Sequence, residues 1–336
     1  MANIKYQTIA VAPGKVILFG EHAVVYGRPA IAVPVTDVRA TASVTAGEPG
    51  SGVQVLAADL PAPDGSPGGR RFRLREAAAD DPLRAAVELA LAAFFQSGSV
   101  NDDDASEPDL TIAVASTVPI ARGLGSGAAV ATALARAVGR HFGRTPQPEE
   151  ISRLVFEVEK LHHGTPSGID NTVIAYEQPV YFVRGEGITR LSVGAPLNLV
   201  IGDTGVVSST RAVVGDVRRR WEADRAAYEA LFDQISDLVQ RARAAIERGE
   251  VEVVGRLMDE NHRLLVSLDV SSGPLDRLVE AARAAGALGA KLSGAGWGGN
   301  MLALVEPGHE PAVAQALRDA GAAHIIFSLI SQVDDS

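Results

Sequence analysis

Chemistry-bearing residues gather in a few short stretches of the chain. The loop Pro119-Ile-Ala-Arg-Gly-Leu-Gly-Ser-Gly-Ala128 sets Gly123, Gly125 and Gly127 at the start of a helical pattern. Glycine lets backbone approach a ligand closely, and a helix start offers free N–H groups with a partial positive charge, which together suit a phosphate cradle. Read literally, the loop is also Gly-x-Gly-x-x-Ala. A dinucleotide fingerprint needs a following strand that ends in Asp or Glu about 20 residues on, and a second helical pattern arrives instead. A tight turn with no ligand is the competing reading of this loop taken alone.

A second glycine cluster, Ser293-Gly-Ala-Gly-Trp-Gly-Gly299, contains Gly-x-Gly-x-x-Gly but runs into a strand pattern, so the dinucleotide reading fails there too. No Gly-x-x-x-x-Gly-Lys-Ser/Thr is present, which excludes a P-loop nucleotide site. Lysine is scarce: Lys5, Lys15, Lys160 and Lys291 are the only four, so 31 − 4 = 27 of the basic residues are arginine. Lys15 lies in Pro13-Gly-Lys-Val-Ile-Leu-Phe-Gly-Glu-His22, where a compact ammonium could neutralise a phosphate or an alkoxide. Glu159 and His163 are four apart on a helical pattern, but no further histidine stands at zinc spacing. Glu159 alone suits magnesium, which takes one or two protein oxygens beside phosphate and water. Asp170 follows a Pro/Gly turn, and on its own reads as a turn or cap residue.

The elements that must carry these groups are readable in outline. Residues 9–38 alternate apolar runs with Pro and Gly, which predicts short strands at 16–19 and 30–33 joined by tight turns. Residues 46–69 are rich in Gly and Pro and predict a surface excursion; a helix is predicted over 81–95, with Leu83, Val87 and Leu91 on one stripe. The acidic stretch 97–109 lacks EF-hand spacing and reads as a solvated loop rather than a calcium site. Then come a strand over 110–118, an Ala-rich helix over 126–138 and a helix after Pro148 with Ile151, Leu154, Val155 and Val158 on one face. A strand over 179–183 precedes Gly185-Glu-Gly187, the expected boundary between domains 1–186 and 187–336. The second half predicts a strand at 197–201, a long charged helical region over 211–247, a helix through Arg256 and His262, and helices at 275–285 and 311–320. Strands are predicted at 288–292, 301–305 and 324–330. Arg218-Arg-Arg220, flanked by Asp216, Glu222 and Asp224, reads as a solvated helix face rather than a basic patch. The order of elements predicts an α+β fold in two domains.

At 336 residues the chain has room for two cores, and 46% hydrophobic against 21% charged residues is a globular composition. Lys+Arg at 31 against Asp+Glu at 41 gives a net charge of -10, which disfavours nucleic acid and anionic membranes as partners. With no cysteine there is no disulfide framework, thiolate nucleophile or Cys-based metal site. The first twelve residues carry one cation, Lys5, and meet Pro13 before a signal-type apolar core develops, and no apolar run reaches membrane-spanning length. A cytoplasmic protein is expected.

Taken together, four stretches resemble the GHMP kinases, and among them most closely the mevalonate kinases. They are Pro13-Gly-Lys-Val-Ile-Leu-Phe-Gly-Glu-His-Ala-Val-Val-Tyr-Gly27, His163-Gly-Thr-Pro-Ser-Gly-Ile-Asp-Asn171, Asp203-Thr-Gly205 with Ser209-Thr210, and Lys291-Leu-Ser-Gly-Ala-Gly296. The resemblance implies an N-terminal domain like ribosomal S5 domain 2 and a C-terminal α/β sandwich, with ATP and Mg2+ as cofactors and mevalonate as the alcohol. Pro119, Arg122, Gly123, Leu124, Gly125, Ser126, Gly127 and Ala128 would wrap the ATP phosphates, and Ser126 with Glu159 would ligate magnesium. Asp170 and Lys15 would act on the substrate hydroxyl. Glu21, His22, Thr204, Gly294, Ala295 and Gly296 would lie near mevalonate. The family usually has a second Ser where Gly127 stands and only small residues where Trp297 stands; the first change would remove a phosphate hydrogen bond and the second would narrow the mouth of the site. Another small-molecule kinase of the same superfamily, acting on phosphomevalonate or on the 3-hydroxyl, or a non-catalytic sensor, are the alternatives. A homodimer is the assembly the resemblance suggests.

Overall fold

The computed structural model describes residues 6–60, 68–95, 107–120, 122–163 and 166–331. Strands β1 (Thr8–Phe19) and β2 (Ala30–Ala46) flank a 3-10 turn and are followed by β3 (Val53–Ala57), β4 (Arg70–Arg73), α1 (Pro82–Phe94) and β5 (Leu110–Ser116). Helices α2 (Ser126–His141), α3 (Pro148–His163) and α4 (Ile169–Tyr176) come next, then a hairpin of β6 (Val180–Val183) and β7 (Gly187–Arg190). The remainder is β8 (Leu197–Asp203), α5 (Thr210–Ala223), α6 (Arg225–Arg248), α7 (Val251–Ser267), α8 (Gly273–Ala284), β9 (Gly289–Ser293), β10 (Asn300–Val305), α9 (Glu310–Asp319) and β11 (His324–Ile330). No helix among the described residues is long and apolar enough to cross a membrane.

The expected α+β content is present, with three corrections. The short strands expected within 9–38 are two long ones, because Pro13 and Pro34 have a φ that extended backbone tolerates and each removes only one ladder donor. The surface excursion expected over 46–69 holds β3, whose Val53, Val55 and Ala57 are buried alternately and which pairs in parallel with β5. Its partner β4 was likewise not expected. Asp170 does follow the Pro/Gly turn, in the first turn of α4, a helix not expected because eight residues are too few to declare a period. The acidic residues Asp102, Asp103 and Asp104 lie outside the described residues, as do Gly164 and Thr165; Asp109, at the end of that stretch, accepts the N–H groups of Gly50 and Gly52.

The chain forms two compact units: Met1–Gly14, Val38–Val118 and Ser126–Tyr176 make one, and Lys15–Asp37, Pro119–Gly125 and Glu177–Ser336 make the other. This division differs from a single cut after residue 186. Gly185 and Glu186 form the β6/β7 turn, closed by Glu186 N–H to Val183 O at 3.1 Å, and Ala30, Ile31 and Ala32 of β2 pair with β6.

In the first unit, β4, β3, β5 and the C-terminal half of β2 pair in that order. Helix α1 starts where the buried Asp81 accepts the N–H groups of Leu83 and Arg84, with Pro82 at the position where a missing donor costs nothing. Alanines 128, 129, 131, 133, 135 and 137 of α2 are buried, and their small side chains let α1, α3 and α4 pack closely around it. Two contacts fix α4: Asn171 Nδ2 donates to Ser152 O at 3.0 Å and to Ser152 Oγ at 2.9 Å, and Arg136 donates to Ala175 O at 2.8 Å.

In the second unit the strands run β11-β8-β10-β9, all antiparallel. The long charged region expected over 211–247 is two helices, broken at Asp224, which caps α6 by accepting Ala227 N–H. Arg218, Arg219 and Arg220 are exposed and pair with Asp216 and Glu222 along their own helix, as a solvated face should.

The outer edge of β9 is closed by side chains of α7 and α8. Ala290 N–H donates to Asp259 Oδ1 at 2.9 Å, Leu292 N–H to His262 Nδ1 at 3.3 Å, and Arg283 donates to Ala290 O at 2.9 Å. An unpaired strand edge is thereby removed. His262 can accept that bond only while neutral. Burial, helped by the nearby Arg283 charge, lowers its pKa to about 4, against an ordinary 6.5; Asp276 and Asp259 pull the other way. Between those values the unfolded chain binds the proton that the folded chain refuses, so stability is lost as pH falls from about 6.5 to about 4. Urea denaturation at pH 7 and pH 4.5 should show the wild type losing about 2 kcal/mol more than His262→Gln. Equal losses would mean that His262 is not held neutral.

Candidate functional site

The groups singled out in the sequence fall in both units. In the second unit, the C-terminal half of β1 joins the two glycine loops. Lys15 is buried, and its backbone N–H donates to Leu124 O at 3.0 Å; two residues on, Ile17 O accepts from Ser293 Oγ at 2.9 Å. The loops themselves meet: a Cβ built on Gly123 would lie 3.9 Å from Gly294 Cα, and one on Gly294 would lie 3.8 Å from Gly123 Cα. There is room for a methyl group, so what demands glycine is the left-handed backbone, φ +77 at Gly123 and +93 at Gly294. At Gly296 space is also lacking, since a Cβ there would meet Val270 O at 1.9 Å. Leu124 is fully buried, so its side chain serves packing rather than ligand contact.

After β1 the chain turns sharply. His22 sits at φ +62, a region costly for any residue with a Cβ, and its Nε2 donates to Ala295 O at 2.8 Å. A carbonyl only accepts, so the hydrogen is on Nε2 and Nδ1 keeps a lone pair. Burial lowers the His22 pKa, opposed by that bond, and keeps the ring neutral.

Beside it, the Glu21 carboxylate is paired with the Lys291 ammonium, which also donates to Leu292 O. Their side chains are 1% and 0% exposed. Burial pushes the Glu21 carboxyl up and the Lys291 ammonium down, and each charge opposes the other's shift; Lys15 adds a further field favouring the ionised Glu21. Glu21 gives Oε1 to Lys291, while its Oε2, buried, has no hydrogen-bond partner among the described residues. Thr204 Oγ1 donates to Gly299 O at 2.9 Å, as does its N–H. Arg122 is paired with Asp203 at 3.2 Å. Trp297, also at positive φ, turns its indole N–H to Asp269 O at 3.0 Å.

In the first unit, Ser126 is the first residue of α2, and Glu159 of α3 is buried with Oε1 3.5 Å from where a Gly127 Cβ would stand. Serine at 127 would therefore fit, and glycine there answers no steric demand. A buried carboxylate beside a helix start that begins with a hydroxyl is a donor set suited to magnesium, which takes few protein oxygens and leaves the rest to phosphate and water. Among the described residues no group of three or more His, Cys, Asp or Glu gathers to hold a metal by protein ligands alone. Asp170 is half-buried in the first turn of α4.

Lys291 carried a signal that went unused: it is one of four lysines and opens a glycine motif. Asp203 stood in a motif without a role, and Asn300, whose Nδ2 donates to Arg122 O, showed no signal at all. Because Lys291→Met strands a buried carboxylate, it should cost about 3–5 kcal/mol, whereas Glu21→Met with Lys291→Met should recover most of the loss. Urea titration of both variants checks this; equal destabilisation would show that the pair is not the source.

Comparison with known proteins gives the family. The family model for the GHMP kinases N terminal domain matches residues 84–178, and that for the GHMP kinases C terminal domain matches residues 242–323. A Thermococcus sibiricus mevalonate kinase is 36% identical over 334 residues, covering 96% of each chain, and a Pyrococcus horikoshii mevalonate kinase is 38% identical over 330 residues, covering 95% of this chain and 94% of that one. The crystal structure of L. major mevalonate kinase in complex with R-mevalonate superposes with a TM-score of 0.80 at 29% identity, covering 98% of both chains. The chain belongs to the GHMP kinase family.

Proposed function

We propose that the protein is an ATP-dependent mevalonate kinase that transfers the γ-phosphoryl group to the 5-hydroxyl of mevalonate. The observation that carries the reading is the joining of both glycine loops by β1 beside the buried Lys15, in a chain whose near-full-length relatives bear that name. The loop residues Gly123 to Ala128 offer backbone N–H groups and a helix start to the phosphates. Pro119, Arg122 and Leu124 shape that loop. Ser126 and Glu159 would hold magnesium, which supplies neutralisation of phosphate charge when bound. His22, Thr204 and the segment Gly294, Ala295 and Gly296 border the alcohol.

Asp170 is the base. An alcohol is a weaker acid than a carboxylic acid by roughly ten pKa units, so a carboxylate cannot remove its proton beforehand. As the oxygen begins to bond to phosphorus its proton becomes acidic, and Asp170, having oriented the hydroxyl, accepts it late. Lys15 offsets the charge that develops. The acidic protein, net charge -10, works in the cytoplasm as a homodimer on small molecules rather than on nucleic acid.

ADP release measured over a panel of mevalonate, phosphomevalonate, homoserine and galactose should show mevalonate preferred. Asp170→Asn should lower kcat by about 100-fold or more while ATP affinity, read by titration calorimetry, changes little. Near-normal turnover of that variant would remove Asp170 as the base; no turnover of mevalonate by the wild type would remove the function.

A further inference from the structure

At one end of the second unit's sheet, three side chains stand in a row across adjacent strands. Ser293 of β9 pairs with Asn300 of β10, and Asn300 pairs with Asp203 of β8, so all three point to the same face. Each reaches out of the sheet to a segment of the candidate site. Ser293 holds Ile17 O, Asn300 Nδ2 donates to Arg122 O, and Asp203 Oδ1 accepts from the Arg122 guanidinium at 3.2 Å.

We propose that Asp203 and Asn300 are positioning residues for phosphoryl transfer, acting through Arg122, and that Arg122 moors the phosphate loop rather than binding phosphate. Asp203 and Asn300 are each 2% exposed, so neither can meet a ligand from solvent. A buried carboxylate is kept only when paired, and the charge of Arg122 is spent on that pairing. The next residue is Gly123, which lacks a Cβ and so has more backbone conformations open to it than other residues; holding both the side chain and the carbonyl of Arg122 restricts them next to the phosphate contacts. Asp203 Oδ1 also accepts Gly205 N–H at 2.9 Å, so one oxygen sets both the loop and the turn that carries Thr204. Misplacement of a reacting group by about 1 Å can cost on the order of 100-fold in rate. The inference rests on the kinase reading and assigns its loop a fastening.

The test is a double-mutant cycle of Arg122→Gln and Asp203→Asn, read by ATP titration calorimetry without alcohol and by steady-state kinetics with mevalonate. Each single variant should weaken ATP binding and raise its KM by about tenfold, and the double should be no worse than the weaker single, because both break one clamp. Arg122→Lys, which keeps the charge, should recover part of the loss. Additive losses, wild-type behaviour of both variants, or loss of ATP binding in Arg122→Gln alone would each overturn the proposal, the last by showing a direct phosphate contact. If Asp203→Asn fails to melt cooperatively, Arg122→Gln and Arg122→Lys, at a side chain 18% exposed, carry the comparison: weakening with partial recovery supports the clamp, and complete loss in both refutes it. A wild-type chain that binds ATP yet leaves mevalonate untouched would remove the function while the alcohol-free titrations still judge the clamp.

Discussion

The site in the second unit depends on one buried ion pair. An ammonium with no exposed surface loses its hydration, and only a partner charge of opposite sign in direct contact makes that tolerable. Lys291 meets this condition through Glu21, 270 residues away in the chain. The pair therefore ties the end of β1 to β9, and the neighbouring His22 adds a second tie to the same glycine segment through Ala295 O. Residues 21 and 22, the second at a strained positive φ, are thereby both held from β9 and its loop.

The cradle is built mainly from backbone. Leu124 is packed into the core and contributes its carbonyl to Lys15 N–H, and Gly123 and Gly294 face one another with room for a methyl group between them. Such a surface suits a phosphate, whose oxygens need donors placed at short range more than they need particular side chains. In this unit the ammonium beside it is that of the buried Lys15. Asp170 owes its place to α4, which Ser152 and Arg136 fasten to its neighbouring helices.

Much of this was legible in the sequence where the chemistry is local. The turn of the glycine loop, the helix that follows it and the solvated Arg218 face all follow from short stretches and their periods. What escaped depended on partners far along the chain. β3 was hidden among Gly and Pro because its alternation spans only five residues, and α4 because two turns cannot display a helical period. The two units interleave segments because β2 pairs with β6, a fact of strand register. Register likewise brings Asp203 and Asn300 to one face, so their grip on Arg122 could not be read from spacing, nor could the pairing of Glu21 with Lys291.

The central claim, that this cradle delivers a phosphoryl group to a primary alcohol, is tested most directly by identifying the product. Phosphorus NMR of a reaction containing ATP, magnesium and mevalonate should show ADP with a new phosphomonoester coupled to the C5 methylene protons. A phosphoester lacking that coupling would place the phosphate on the tertiary hydroxyl, and free inorganic phosphate alone would show that water, rather than mevalonate, receives it; either spectrum would contradict the account.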